Sequence, residues 1–295
     1  MIRFFLIICI LFSTSAFAQE LKIATWNIQW LSDHENNVRT EKDYQELRDY
    51  TQQLNADVIA LQEIESVALT QKALGDDYDV YVSSKDWFQR VGVAVRKSAG
   101  YDIKALEYKA LDVGSVRYGM DVTLGKEGKQ FRLLSVHLKS GCFEKPLDKD
   151  NVDAMPTTEE KQQKEKNACY LLGKQIEPLE AWIDARAKEG TPFAVLGDFN
   201  RRFVQDIANK QSEASGLWQA IDDEGAEAMW SPTLTKDSEC WGGYYKDYID
   251  HIVLDPNARS LLIDDSFEQL IFAGSYSEDA HRLSDHCPIA VTLSL

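Results

Sequence analysis

The sequence predicts an α+β chain folded as one domain, and three observations carry that prediction. Short apolar runs of strand length, residues 58–64 and 193–196, are bounded by polar or turn residues. Residues 116–124 and 131–138 read as a hairpin around the polar turn 125–130. Residues 39–54 carry Tyr44, Leu47, Thr51 and Leu54 at helical spacing. At 295 residues and 44% apolar side chains the chain can bury a large core. No low-complexity linker or internal repeat divides it, so a single domain over residues 19–295 is expected.

Residues 1–18 read as a signal peptide: Arg3 precedes an apolar run at 4–12, and Ala16-Phe17-Ala18 matches a cleavage signal. The run is too short for a membrane span, and no later stretch is long and apolar enough to replace it. The expectation is a monomer exported to the periplasm or the medium after cleavage near Ala18. Cys9 follows Ile8 rather than a small residue, which excludes a lipoprotein anchor there. Four cysteines remain: Cys142, Cys169, Cys240 and Cys287. Without a close C-x-x-C pair they do not suggest a metal site, and in an oxidising compartment they suggest two disulfides with three possible pairings. Cys142–Cys169 would close a polar loop onto a helix; Cys240–Cys287 is then the other pair. The net charge of −16 argues against broad coating of a polyanion but not against a phosphodiester held in one cleft by a cation and a few basic groups.

In chain order, residues 21–28 read as a strand ending near Asn27, and 58–64 as a buried strand with Glu63 at its end. Residues 78–84 and 91–96 read as consecutive strands, and the second hairpin strand ends at His137. Residues 141–158 read as a long exposed loop. A helix follows with Cys169, Leu172, Ile176, Leu179 and Ile183 on one face, and Pro178 predicts a kink or break in it. The run 193–196 leads into Gly197-Asp198-Phe199-Asn200, where Gly197 allows a sharp turn and an extended segment would turn Asp198 and Asn200 to one side. Residues 203–208 and 215–221 suggest short helices. The aromatic-rich segment 231–246, flanked by Trp230, reads as a loop over the site whose rings could stack on bases or pin the loop to the body, pinning being the preferred reading. Residues 248–254 form a strand on which Asp250 and His251 point to opposite faces, residues 267–272 another, and Asp285-His286 stand at the entrance to the last, 289–293.

Each of these residues alone has an ordinary reading, as a cap, a turn or a core hydrogen bond. Together they place carboxylates, amides and histidines at strand boundaries, where α/β proteins keep their chemistry. Oxygen donors without clustered cysteines suit a hard cation such as Mg²⁺. The histidines suit proton handling and charge stabilisation.

Trp26-Asn27, Leu61-Gln62-Glu63, His137-Leu138-Lys139-Ser140, Gly197-Asp198-Phe199-Asn200, Ile249-Asp250-His251 and Ser284-Asp285-His286-Cys287-Pro288 stand in the order of the endonuclease/exonuclease/phosphatase superfamily. The chain resembles the secreted, deoxyribonuclease-I-like members over essentially its whole mature length. The resemblance implies a four-layer α/β/β/α sandwich of two mostly antiparallel sheets flanked by helices. It also implies an exported metal-dependent phosphodiesterase, a nuclease acting on nucleic acid, with DNA favoured over RNA. Glu63, Asn27 and Asp285 would hold Mg²⁺, with Mn²⁺ or Ca²⁺ as alternatives. Asp198 would activate water, with Asn200 fixing geometry and touching phosphate. His286, paired with Asp250, and His137 would assist the phosphate or the proton transfer. Arg117, with Tyr118 beside it as a second candidate, would bind substrate phosphate. Two other functions fit the same residues: a phosphatase or phosphodiesterase of lipid head groups or small esters, and an inactive binding module.

Overall fold

The computed structural model describes residues 19–34, 36–223 and 228–295; the expected signal peptide lies outside the described residues. Its strands are β1 (Glu20–Leu31), β2 (Val58–Ile64), β3 (Tyr78–Val82), β4 (Arg90–Arg96), β5 (Asp102–Tyr108), β6 (Gly119–Lys126), β7 (Lys129–His137), β8 (Phe193–Asp198), β9 (Asp250–Leu254), β10 (Glu268–Gln269) and β11 (Ile289–Ser294). Its main helices are α1 (Glu41–Leu54), α2 (Val67–Leu74), α3 (Lys149–Ala154), α4 (Glu160–Glu189), α5 (Phe203–Ala208) and α6 (Leu217–Ile221).

The strands form two sheets, in the orders β10-β11-β1-β2-β4-β3 and β5-β6-β7-β8-β9. All neighbours pair antiparallel except β1–β2 and β7–β8. Period-two alternation explains the layering. Leu21, Ile23, Val58, Ala60, Leu133, Ala194, Leu196 and Ile252 meet between the sheets. Their neighbours Ala24, Trp26, Ile59 and Leu61 face Tyr44, Leu47 and Leu54 of α1. On the other side Leu134, Val136, Val195 and Val253 face Leu172, Leu179 and Ile183 of α4. The result is the expected four-layer α/β/β/α sandwich. A capping box at Thr40 and Asp43 starts α1, and Asn55 in the left-handed conformation ends it.

Several local expectations are corrected. The segment 141–158 is not an exposed loop: Cys142, Leu147 and Val152 are buried and α3 lies within it. Its apolar residues are spaced too widely to show a period. Helix α4 runs unbroken through Pro178. A helix-interior proline costs about 3 kcal/mol, whereas burying Leu172, Leu179, Trp182 and Ile183 returns about 1.5–3 kcal/mol per side chain. Strand β6 starts at Gly119, which leaves Arg117 on the preceding loop. Its partner β5 lacks a sequence signal because it is a half-exposed edge strand. The hairpin turn is only Glu127-Gly128, both at positive φ, as a two-residue hairpin requires. The strand expected at 267–272 shrinks to Glu268–Gln269.

Candidate active site

The parallel pairs deliver their C-terminal ends to one edge of the sandwich, and the antiparallel strands β9 and β11 begin there. Asn27, Glu63, His137 and Asp198 therefore arrive from strand ends, while Asp250 and the Asp285-His286 turn arrive from strand starts. A cavity of about 520 Å³ opens at this edge, lined by Glu63, Arg117, His137, Asp198, Asn200, Asp250, Asp285 and His286 among others. Asn27 lies just beneath it, and Tyr118 is not among its lining residues.

Asp198 is the hub. It is buried, and the Asn200 backbone N–H donates to its Oδ1 at 2.8 Å while Asn27 Nδ2 donates to its Oδ2 at 3.0 Å. Burial first, and then the Asp250 charge, raise its pKa to about 7, against the opposing effects of His286 and these donors. Two expectations about this motif change. Gly197 does not make the turn: it lies within β8, and a Cβ there would stand 2.0 Å from the Val136 carbonyl oxygen. Asn200 is not extended either; its φ of 51° folds its own N–H back onto Asp198. Its side-chain Nδ2 donates to the Leu138 carbonyl at 3.1 Å, tying the ends of β7 and β8 together.

His286 Nδ1 lies 2.6 Å from Asp250 Oδ2. Burial opposes charge on this imidazole, but Asp250, with Asp285 and Asp198 behind it, raises its pKa well above the ordinary value. His137 is the opposite case. Burial, and then the Arg117 charge, hold its pKa well below normal, so it is neutral. Its Nε2 sits 3.4 Å from Asp198 Oδ2 and 3.8 Å from Glu63 Oε1. Arg117 donates from Nη2 to Gln89 Oε1 at 3.0 Å. Arg117 Nε, His137 Nδ1 and Asp250 Oδ1 are buried without a hydrogen-bond partner. Unpaired buried polar atoms are costly, and all three belong to residues lining the cavity. His251, as its pleat position predicts, turns away: it bonds Thr233 Oγ1 at 2.6 Å and the Arg201 carbonyl at 2.8 Å, and stacks on Phe203.

Two bulges shape the acidic side. In β1 the register shifts between Asn27 and Leu31, with Gln29 and Trp30 at positive φ; in β2 it shifts around Glu63, φ 59°. Bulges re-aim side chains. Here Glu63 Oε2 accepts the Trp30 N–H at 3.0 Å. Burial raises the Glu63 pKa, so this carboxylate is short of compensating charge. An oxygen ligand in that condition, with Asp285 on the same cavity, fits a hard divalent cation. Asn27 Oδ1 accepts the Gln29 N–H at 2.9 Å and keeps one lone pair for a ligand. The compact set of ligating atoms among the described residues is a different one: those of Asp198, Asp250 and His286 lie within 4.8 Å of one another. There the His286 imidazole already occupies Asp250, so the cation fits better at Glu63.

Supporting residues went unrecognised in the sequence. The buried Arg39 donates to the carbonyls of Ile28, Gln29, Trp30, Arg282 and Leu283, clamping the β1 bulge to the segment that leads into Ser284. Ser284 Oγ donates to the Asn27 carbonyl at 2.6 Å and accepts the His286 N–H at 2.9 Å. Arg201 is fully buried, paired with Asp206 and donating to the carbonyls of Cys142 and Lys145. Nothing in the local pattern separates these side chains from surface polar groups. Cys142 bonds Cys169 and Cys240 bonds Cys287. The second bridge joins the 231–246 loop to the residue after His286. Trp241 pins that loop through Nε1 to the Ser284 carbonyl, but Tyr244 and Tyr245 are exposed.

The family model described as "Endonuclease/Exonuclease/phosphatase family" matches residues 24–286. No curated protein sequence matches. Among solved structures, a humanized D. rerio TDP2 is 20% identical with a TM-score of 0.61, covering 94% of this chain and 99% of that one. D. rerio TDP2 complexed with a single strand DNA product is 21% identical with a TM-score of 0.56 and the same coverage. AP endonuclease LMAP from Leishmania major is 14% identical with a TM-score of 0.60, covering 94% and 88%. These likenesses are of fold. The match over nearly all of the described chain, on a sandwich whose strand ends assemble this cavity, makes the chain a member of the endonuclease/exonuclease/phosphatase family.

Proposed function

We propose that this protein is an exported, metal-dependent nuclease that hydrolyses phosphodiester bonds with an activated water. The observation that carries the reading is Asp198: a buried carboxylate poised near pH 7, oriented by two donors, in the cavity that also holds the Asp250–His286 pair. A divalent cation held by Glu63, with Asp285 and Asn27, would neutralise charge on the phosphate and the leaving oxygen; Mg²⁺ is the first choice, with Mn²⁺ or Ca²⁺ as alternatives.

The chain's own residues then divide the work. Asp198 takes a proton from the attacking water, and Asn200 and Asn27 hold its carboxylate in line. Asp250 fixes the tautomer of His286 and favours its imidazolium, which donates to the phosphate as its charge grows. Neutral His137 donates a hydrogen bond rather than a full charge. Arg117 lines the same cavity and keeps a buried Nε–H without a partner; its guanidinium suits a phosphate oxygen. DNA is the favoured substrate, in keeping with the DNA product bound to the TDP2 structure. The signal-peptide pattern of residues 1–18 supports export, and the protein is proposed to act as a monomer; among the described residues no helix is long and apolar enough to cross a membrane.

A DNA digest with Mg²⁺, with and without chelator, beside a panel of lipid and small phosphate esters tests the reading. Metal-dependent DNA cleavage is expected, and His286→Ala should lower its rate by about 10²-fold or more. Cleavage of the esters alone would make the protein a phosphatase or lipid phosphodiesterase. No cleavage of anything would leave a binding module.

A further inference from the structure

Two separate clusters of exposed aromatic rings border the catalytic cavity, and neither is used by the chemistry above. The first centres on Trp30, which lines the cavity and is 43% exposed. Phe88 braces it edge-on at 5.7 Å, and Trp87, 49% exposed, stacks on Phe88 at 5.2 Å. The second centres on Tyr245, which also lines the cavity and is 52% exposed. Tyr244 and Tyr276 stack on each other at 4.5 Å and 9°, and both meet Tyr245 edge-on.

Large aromatic side chains are usually well buried, whereas Trp30, Trp87, Tyr244 and Tyr245 are exposed. Trp30 has φ 50°, in the β1 bulge, and Trp241, which packs beside Tyr276, has φ 51°. Bulky residues are rare in that region and tend to mark functional sites. Each cluster is braced by other rings, so its outer faces are fixed before any ligand arrives. The charge balance points the same way. At −16 overall, with Arg117 and Arg202 the only arginines or lysines lining the cavity and Arg202 paired with Glu144, few cations remain to hold phosphates beyond the scissile one. Stacking can supply it without cations, because every base has a flat face.

Resting on the nuclease reading, we infer that Trp30 and Tyr245 are stacking surfaces for unpaired nucleobases on the two sides of the scissile phosphate. The substrate is then single-stranded nucleic acid, or a strand with unpaired bases at the cut. In a duplex the base faces are covered by their neighbours and the rings have nothing to stack on.

The experiment measures kcat and KM on three labelled substrates: a single-stranded oligothymidylate, the same strand with abasic residues flanking one phosphate, and a duplex. The wild-type protein should cleave the base-bearing strand with a KM about tenfold below that for the abasic position, and the duplex least well. Trp30→Ala and Tyr245→Ala should each raise KM for the base-bearing strand about tenfold, change kcat less than threefold, and narrow the gap to the abasic strand. Trp30→Phe should restore most of it. Equal KM for base-bearing and abasic strands in the wild-type protein overturns the inference while leaving the nuclease reading intact; so does efficient duplex cleavage. No cleavage of any of the three removes the nuclease reading itself. A parallel sedimentation with phosphatidylcholine vesicles checks the other surface that aromatic rings enter. Binding that Trp30→Ala abolishes would assign the clusters to a membrane and overturn the inference.

Discussion

At the scale of single residues, the histidines show how position sets chemistry. Three of them lie in or beside the site, and their surroundings push them apart. His286 is driven toward its charged form by Asp250, whereas His137 and His251 are held neutral by burial. His251 gives a pH prediction independent of catalysis. Burial lowers its pKa to about 4 from an ordinary 6.5. The unfolded chain therefore binds the extra proton between these values and the folded chain does not. Stability should be complete above about pH 6.5 and fall as pH drops toward 4, by up to about 1.4 kcal/mol per unit. Urea titrations across that range check this. His251→Gln should be less stable at neutral pH yet lack this component of the slope; an unchanged slope would refute the assignment. Asp198→Asn keeps the shape but removes the base, and should reduce turnover about 10²-fold or more with folding intact by circular dichroism.

At the scale of elements, the site depends on strands ending together. The β7–β8 pair approaches so closely that only glycine fits at 197. Gly197→Ala would need the backbone to part, so a loss of about 3 kcal/mol or more in thermal or denaturant unfolding is expected, with activity falling alongside. The Cys142–Cys169 bridge closes a separation of 27 residues, whose loop entropy corresponds to about 3.5 kcal/mol. Replacing both cysteines with serine should lower stability by a comparable amount. Activity should suffer too, because Arg201 is anchored on the Cys142 carbonyl and precedes Arg202 of the cavity wall. Most of these elements were legible in advance. Strands β2 and β11 and helix α5 lie where the apolar runs place them, within a residue. Strand β5 and helix α3 were not legible, since one is a half-exposed edge strand and the other has a single buried side chain, Val152.

At the scale of the whole molecule, the proposed function requires an acidic protein to bind a polyanion. With Arg117, Arg202 and the His286 imidazolium on the cavity wall, binding to a single strand should weaken with salt at a log–log slope of only about −2, at about 0.7 per phosphate contact. A slope steeper than about −4 would mean that a wider basic surface takes part. Titration of a catalytically silenced variant with a labelled oligonucleotide provides the measurement.

The sequence by itself determined most of the strands and helices, because period-two alternation and apolar runs are local and survive in any context; the sandwich that they build was implied by the order of the motifs, through the family they resemble. The same order singled out Glu63, His137, Asp198, Asp250 and His286, which the fold brings to one cavity. Tertiary structure alone decided how they work together. Asn27 and Asp198 meet across 171 positions, and Arg39 reaches the turn at 282–283 from more than 240 positions away. It decided that Glu63 is a bulge residue, that Gly197 serves close approach rather than a turn, and that Asn200 folds back onto Asp198. It also decided which aromatic rings are pinned and which stand exposed at the cavity. Such features depend on burial and on partners distant in sequence, which a local pattern does not encode.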